Sequence, residues 1–331
     1  MIARRDFLAA SGAAWLAVLC LPAFAQPVPR VRRIGVLQVV AEDDSAFQAR
    51  FSALAQALRG MGWIEGQNVV FEKRYAGGDT GRLPALAAEL VGANVDVIIC
   101  PGTEMTEAAR KATSTIPIVM SAVGDAVGSG LVASLARPGG NVTGQSMFTV
   151  ELASKRLQLM REISPGLNRF ATIWDPENPA HRLEIAQIES AARRMKIALR
   201  SLPVRNAHEI AAAFRGVAEG KLQAIVTLDD HLIQFHRARI VELAMQERIP
   251  VVSEFELFAV SGALMSYGAD LVEIWRRTAV YVDKILKGAS PSEMPVEQPT
   301  RLNLVVNMRT ARALGIRIPH SILLRADRVI E

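Results

Sequence analysis

The sequence contains few cysteines and few aromatic residues, and it lacks the short motifs of nucleotide enzymes and hydrolases. Two of its 331 residues are cysteine and 5% are aromatic. Because G-x-G-x-x-G, G-x-x-x-x-G-K-[ST] and G-x-S-x-G are all absent, a dinucleotide site, a P-loop and a nucleophile elbow are disfavoured. The five histidines form no H-E-x-x-H. His231 and His236 are five residues apart, so their side chains would project from different faces of a helix. We therefore expect no metal, no cofactor and no catalytic residues.

Positive charge is in slight excess but is not clustered. The formal net charge is +5, and no run of lysine or arginine is interleaved with aromatic residues. Nucleic acid is therefore not an expected partner, since such binding needs a concentrated basic surface. A mildly basic surface is compatible with anionic ligands.

The first 25 residues have the pattern of an export signal. Arg4-Arg5 precede an apolar stretch from Leu8 to Leu21, and Ala23-Phe24-Ala25 supplies a small-x-small cleavage site after Ala25. The run Arg4-Arg5-Asp6-Phe7-Leu8 resembles a twin-arginine signal, with the Sec route as the alternative. We expect a periplasmic protein that retains only Cys100, which excludes an internal disulfide and predicts a buried thiol. Since a periplasm holds no ATP or NADH pool, export favours a binding protein over a nucleotide enzyme.

Strand and helix patterns alternate along the chain and then restart. This alternation predicts an α/β protein with two doubly wound, parallel-sheet, Rossmann-like lobes. The first lobe should span residues 30–147 and the second 148–265. Residues from about 266 to 289 are expected to pack back on the first lobe and those from about 290 to 331 on the second, so that several crossovers form a multi-strand hinge. One helix is predicted from Leu232 to Glu247.

Candidate ligand-binding residues follow the ends of the predicted strands, because ligands of open parallel sheets bind outside the carboxyl ends of the strands. The combination of polar groups with a few aromatic rings suits a small-molecule cleft. The candidates are Gln38, Ser45, Gly102, Thr103, Glu104, Asp125, Trp174, Asn178, Asp230, Glu254 and Tyr267.

Three of these candidates have an alternative interpretation that the sequence leaves open. Thr103 opens a helix, where its hydroxyl and nearby N–H groups either hold a ligand carboxylate or only cap the helix. Asp125 either binds a ligand ammonium or caps the helix that follows. Trp174 either forms a wall of the pocket or belongs to the core.

Eight stretches of the sequence carry a family resemblance that covers almost all of the chain after the signal. The most specific is Arg137-Pro138-Gly139-Gly140-Asn141-Val142-Thr143-Gly144. The others are Arg33 to Leu37, Gly62 to Asn68, Leu83 to Leu90, Thr115 to Val119, Gly128 to Val132, Leu264 to Gly268 and Tyr281 to Gly288.

These stretches resemble the ABC-transporter substrate-binding family that includes tryptophan/tyrosine-type binding proteins. The resemblance implies the type I periplasmic-binding-protein fold, with Thr103, Asp125 and Asp230 at pocket positions. The sequence departs from the family pattern at Ala126, in the loop Val40 to Ala46, and at Ser253-Glu254. Because these departures fall at the expected pocket, the ligand does not carry over from relatives.

The expected function is a monomeric periplasmic solute-binding protein of an ABC importer. Its lobes would close on a small molecule, such as an amino acid or an aromatic or carboxylate compound, and then dock on a membrane permease. A two-lobed amino-acid racemase would need two facing cysteines, and only Cys100 remains after export. A ligand-sensing partner of a membrane receptor or kinase stays open as the alternative.

Overall fold

The computed structural model describes residues 30–147, 149–228 and 230–331. Both lobes described below lie within one compact unit, Arg32–Glu331. The predicted export signal and its cleavage site lie outside the described residues. Within the described ranges, no helix combines the length and apolar character that crossing a bilayer requires.

The first lobe is built on a five-stranded parallel sheet. Its strand order is β2-β1-β3-β4-β5, with helices on both faces. Residues 97–100 are apolar and fully buried, because helices cover this central strand on both sides. The strands are β1 (Arg32–Gln38), β2 (Val69–Tyr75), β3 (Val97–Pro101), β4 (Ile118–Val123) and β5 (Val142–Ser146), and the helices are α1 (Ser45–Gly60), α2 (Leu83–Gly92) and α3 (Thr103–Ala112).

The second lobe is built on a seven-stranded sheet of order β12-β11-β10-β9-β8-β6-β7. Its strands pair in parallel except for β10 and β11, which are antiparallel. The strands are β6 (Arg169–Trp174), β7 (Ala198–Pro203), β8 (Ala224–Thr227), β9 (Val251–Ser253), β10 (Met265–Ala269), β11 (Leu302–Asn307) and β12 (Arg328–Ile330). The helices before the last crossover are α4 (Thr149–Ile163), α5 (Pro179–Arg194), α6 (Ala207–Glu219), α7 (His231–Phe235), α8 (Arg237–Gln246) and α9 (Glu256–Val260).

The helix predicted from Leu232 to Glu247 is two helices in the structure. The carboxylate of Asp230 accepts a hydrogen bond from the backbone N–H of Ile233, so α7 begins one residue earlier than predicted. The chain leaves helical geometry at His236, where φ is −91° and ψ is 10°. The apolar periodicity continues across this break, and the sequence pattern alone therefore merges α7 and α8.

The chain crosses between the lobes at three places, and the last two differ from the predicted boundaries. Residues 266–269 belong to β10 in the second sheet, because their main chain pairs with strands on both sides. Helix α10 (Leu271–Leu286) then packs on α1 of the first lobe. The return segment stays on the first sheet through Glu297, which bridges Gln145, while the Thr143 hydroxyl donates to the carbonyl of Met294 at 2.7 Å. After β11, helices α11 (Met308–Leu314) and α12 (His320–Leu323) cover the second lobe.

Gly144 in β5 allows two strands of the first sheet to approach closely. Its φ is 129°, and a Cβ at this position would lie 2.1 Å from the carbonyl oxygen of Met120 in β4. Only glycine tolerates both conditions. Cys100 of β3 pairs in register with Met120 of β4. Its thiol is fully buried, and this burial raises the thiol pKa.

Candidate functional site between the two lobes

A cleft lies between the lobes at the carboxyl ends of the strands. It encloses about 970 Å³ of space, including its open side. The loops after β1, β3 and β4 line it from the first lobe, and those after β6, β8 and β9 from the second. Seven of the eleven predicted residues lie in this lining: Gln38, Gly102, Thr103, Glu104, Asn178, Asp230 and Glu254.

The structure places the other four predicted residues outside the lining. Ser45 is exposed at the start of α1, and it is the preceding Asp44 that caps this helix and lines the cleft. Asp125 caps a turn by accepting the backbone N–H of Gly128 at 2.8 Å. The Trp174 ring lies against the core of the second lobe, and its Nε1 donates to Ser201 at 2.7 Å. Tyr267 lies against the same core. The side chains of Asp125, Trp174 and Tyr267 are thus occupied by local backbone or core partners, whereas Ser45 lies exposed outside the lining.

Helix α3 brings Thr103 and Glu104 to the cleft through a glycine. Gly102 precedes the helix with φ of 90°, a conformation that side chains rarely adopt, and Thr103 is 3% exposed. Because α3 has no side-chain cap at its N-terminus, its first N–H groups keep a partial positive charge next to the cleft. The acidic residue in this first turn is Glu104.

Acidic and histidine side chains from both lobes meet at this point. The Oε1 atom of Glu104 lies 3.5 Å from Nδ1 of His231, and Oδ2 of Asp230 lies 3.8 Å from Nδ1 of His181. The Asn178 amide donates to Asp230 at 3.4 Å. Only Glu104 belongs to the first lobe, so this cluster forms where the two lobes come together.

The burial of so many ionisable groups changes their proton affinity. Burial raises the pKa of Glu104, an effect that His231 opposes and Asp230 reinforces. Burial, together with Asp230, raises the pKa of Asp175 to about 6. Burial lowers the pKa of His181, but the surrounding carboxylates outweigh it and the net shift is upward. The inner cleft is therefore an acidic environment that favours a positively charged or proton-donating ligand group.

Three side chains of the cluster have the spacing of a cation site. Ligand atoms of Glu104, Asp230 and His231 all lie within 4.8 Å of one another. Three donors from the described residues fall short of the four that structural zinc takes and the six to eight oxygens that calcium takes. We assign no metal here, and the same geometry suits an organic ammonium group.

Aromatic rings supply the apolar part of the cleft. Phe47 from α1 and Trp275 from α10 pack edge to face with their ring centroids 5.7 Å apart, and Phe255 contributes from the second lobe. Trp275 is 1% exposed. An aromatic wall beside a few polar groups is the usual composition of a site for a small organic molecule.

Sequence reasoning missed several residues of the lining because they come from helices and not from strand ends. These are chiefly Phe47, Arg50, His181, His231, Arg237 and Trp275. His231 directly follows the predicted Asp230, and that adjacency was the one available signal. The others reach the cleft only through the packing of α1, α5, α8 and α10.

Glu254 is held by a buried arginine that no sequence pattern singles out. Arg156 of α4 is fully buried; its Nη2 lies 3.7 Å from Oε2 of Glu254, and its Nη1 donates to the carbonyl of Tyr267 at 3.2 Å. A buried carboxylate needs such a partner. Part of the Glu254 charge is thereby neutralised beneath the cleft.

Two parallel-sheet lobes with an inter-lobe cleft are the type I periplasmic-binding-protein fold, which distantly related solute-binding structures share with this chain. The chain belongs to the ABC transporter substrate binding protein family, whose model matches residues 33–330. Both the predicted fold class and the family resemblance are confirmed.

Three relatives illustrate the similarity. The tyrosine-binding protein of Clostridioides difficile (strain R20291) is 26% identical over 286 residues, which cover 86% of this chain and 81% of that protein. A structure of an ABC domain in complex with L-Trp from Streptococcus pneumonia is 25% identical with a TM-score of 0.84, covering 90% of this chain and 99% of that one. The ligand-free, open structure of a substrate binding protein from Clostridium difficile is also 25% identical, with a TM-score of 0.67 and coverage of 91% and 99%. At equal identity, the TM-score is higher against the structure in complex with L-Trp than against the ligand-free, open structure.

Proposed function

We propose that the protein is the periplasmic solute-binding component of an ABC importer and that it carries a small organic molecule, an amino acid or an aromatic or carboxylate compound. The ligand would lie between the lobes and stabilise their closed arrangement. The closed protein would then dock, as a monomer, on a permease in the inner membrane. The proposal assigns it no catalytic activity and no cofactor.

The observation that carries the proposal is that groups from both lobes converge on one cleft. Glu104 of the first lobe and His231 of the second approach to 3.5 Å, and Phe47 and Trp275 form an aromatic wall beside them. A ligand that contacts both lobes binds the closed state better than the open state, and this difference in affinity drives closure. The relatives that bind L-Trp and tyrosine support a ligand with an aromatic ring and an amino group.

The test is a thermal-shift screen of the purified protein against L-amino acids, aromatic acids, short carboxylates and purines. A compound at 100 times its Kd adds about 2.7 kcal/mol to the free energy of unfolding, which raises Tm by several degrees. We expect at least one aromatic or carboxylate compound to do so and to be recovered chemically unchanged. Conversion of the compound would contradict the proposal and indicate an enzyme.

Two glutamates of α3 provide a matched control for where the compound binds. Glu104→Gln should weaken the thermal shift because Glu104 lines the cleft. Glu107→Gln should leave the shift intact, because Glu107 pairs with Lys111 on the same helix at 2.7 Å and is not part of the lining. Equal responses of the two variants would place the ligand elsewhere.

The alternative function, a sensing role, would be recognised by binding of the liganded protein to a membrane receptor in place of a permease.

A further inference from the structure

Two arginines face the cleft from opposite lobes. Arg50 lies on α1 of the first lobe and Arg237 begins α8 of the second, and both belong to the cleft lining. Each makes one hydrogen bond to a nearby main-chain carbonyl: Arg50 Nε donates to Ala46 and Arg237 Nη1 donates to Gln234, both at 2.9 Å. Within the described part of the chain, neither guanidinium forms a salt bridge. The Nε atom of Arg237 is buried and has no hydrogen-bond partner among the described atoms.

The two guanidinium groups repel each other. Burial lowers the pKa of Arg50; nearby Asp44 opposes this effect, and Arg237 lowers the pKa further. Asp44 is already engaged, since it accepts the backbone N–H of Phe47 at 2.6 Å as the cap of α1. Bringing two like charges together on closure costs free energy unless an anion lies between them. A buried, unpartnered N–H of an arginine adds to that cost.

The charges in the rest of the cleft determine which end of a ligand would lie beside these arginines. Glu104 and Asp230 occupy the inner cluster, where a further anion would be repelled. Among the described residues, the other basic groups there are His231 and His181, which already face those carboxylates. An anionic group of the ligand is therefore most stable on the arginine side, and a neutral or cationic group is most stable beside Glu104.

We propose that Arg50 and Arg237 form a clamp between the lobes for an oxyanion of the ligand, a carboxylate or a phosphate, and that this anion is required for closure. The inference rests on the proposed function and deepens it, because it selects oxyanion-bearing molecules from the possible ligands. A guanidinium presents parallel N–H groups that match the oxygens of either anion. Because the arginines come from different lobes, the anion bridges them only in the closed state, and its binding energy contributes to closing the cleft.

The first experiment needs no knowledge of the natural ligand. Tm is measured in acetate, phosphate and chloride at constant ionic strength for the wild type and for Arg50→Gln and Arg237→Gln. The matched control is Arg239→Gln, two residues further along α8, where Arg239 pairs with Glu242 at 2.8 Å on the surface. Salts also act on every protein surface alike, and the comparison between variants removes this general effect.

We expect acetate or phosphate to raise Tm over chloride in the wild type and in Arg239→Gln, and to lose most of that effect in both clamp variants. A larger effect of acetate would identify a carboxylate, and a larger effect of phosphate a phosphate. Identical anion responses in all four proteins would overturn the clamp. Arg237→Lys, which keeps the charge, should restore part of the response, and this distinguishes loss of the anion site from a folding defect.

The second experiment compares L-tryptophan with tryptamine and L-tyrosine with tyramine by isothermal titration. Each pair shares a ring and an amino group, but only the amino acid carries a carboxylate. We expect the amino acid of a bound pair to bind more tightly and Arg237→Gln to weaken it about ten- to hundredfold, the effect of losing a hydrogen bond to a charged group. If the amine binds as tightly as the amino acid, the clamp is wrong even though a solute is bound. If none of the four binds, the aromatic ligand class of the proposed function fails, while the anion experiment still decides the clamp.

Discussion

The Nδ1 atom of His231 lies 3.5 Å from Oε1 of Glu104, although 127 positions of sequence separate the two residues and they belong to different lobes. Neither atom has a hydrogen bond to another described group. This contact depends on the position of one lobe relative to the other. If a ligand drives closure, as proposed, the ligand should form this contact and its removal should break it.

A double-mutant cycle on Glu104→Gln and His231→Gln tests this relationship. With the compound found by the thermal-shift screen present, we expect a coupling energy of about 0.5–3 kcal/mol in the free energy of unfolding. Without the compound we expect the lobes to separate and the coupling to fall towards zero. Equal coupling under both conditions would mean that the two side chains meet regardless of the ligand.

The acidic cluster predicts a pH dependence of stability that is centred on Asp175. Its pKa is raised from 3.8 to about 6, so the folded protein holds this proton more tightly than the unfolded chain. The resulting stabilisation is present below about pH 4 and is lost as the pH rises through about 6. Relative to the wild type, Asp175→Asn should therefore gain stability between pH 4 and 7, by on the order of 1 kcal/mol.

Urea unfolding at several pH values measures this difference. Asn keeps the side-chain oxygen that accepts the N–H of Glu177 at 2.8 Å, so the loop conformation is retained. Asp43→Asn, at an exposed loop position, controls for the loss of one negative charge. The free energy of unfolding of Asp175→Asn is compared with that of the wild type at each pH. If this difference does not change with pH, then Asp230, Glu104 and burial do not act on the Asp175 carboxyl as described.

Substitution by alanine should have very different effects on stability at two glycines of the stretch from Gly139 to Gly144. Gly144→Ala would place a Cβ 2.1 Å from the Met120 carbonyl oxygen at a φ of 129°, and we expect it to cost about 3 kcal/mol or more. Gly140→Ala meets nothing within 4 Å and should stay within about 0.5 kcal/mol of the wild type. Thermal unfolding of both variants provides the measurement. A mild effect of Gly144→Ala would mean that β4 and β5 can move apart.

Replacing one partner of the buried pair Arg156 and Glu254 should lower the free energy of unfolding more than replacing both. Arg156→Met leaves the Glu254 carboxylate buried without its guanidinium, and we expect a loss of about 3–5 kcal/mol. The double variant Arg156→Met/Glu254→Leu should recover much of that loss, because neither charge of the pair then stays buried. Arg325→Met is the control, since Arg325 pairs with Glu162 at the surface and should cost at most about 1 kcal/mol. If the double variant is as unstable as the single one, packing and not charge explains the effect.

The alternation of strands and helices, the restart near residue 150 and the strand-end residues could all be predicted from the sequence. These features are local: a buried parallel strand such as Val97–Cys100 is apolar throughout, and a residue such as Thr103 follows the strand directly. Asp125, Trp174 and Tyr267 share that local position, but the structure gives each a backbone or core partner away from the cleft, and Ser45 lies exposed outside the lining. Sequence position alone could not show which strand-end side chains are already engaged.

The sequence by itself determined two parallel-sheet lobes, because hydrophobic periodicity and turn residues act over short distances, and the resemblance of eight stretches indicated the family. Tertiary structure alone decided which helices reach the cleft. Arg50, His181, Arg237 and Trp275 come from four helices of the two lobes, and nothing in the local pattern of those helices marks the face that lines the cleft. The crossover of α10 onto α1 and the closure of one lobe on the other bring these side chains together. Both depend on packing between segments distant in sequence.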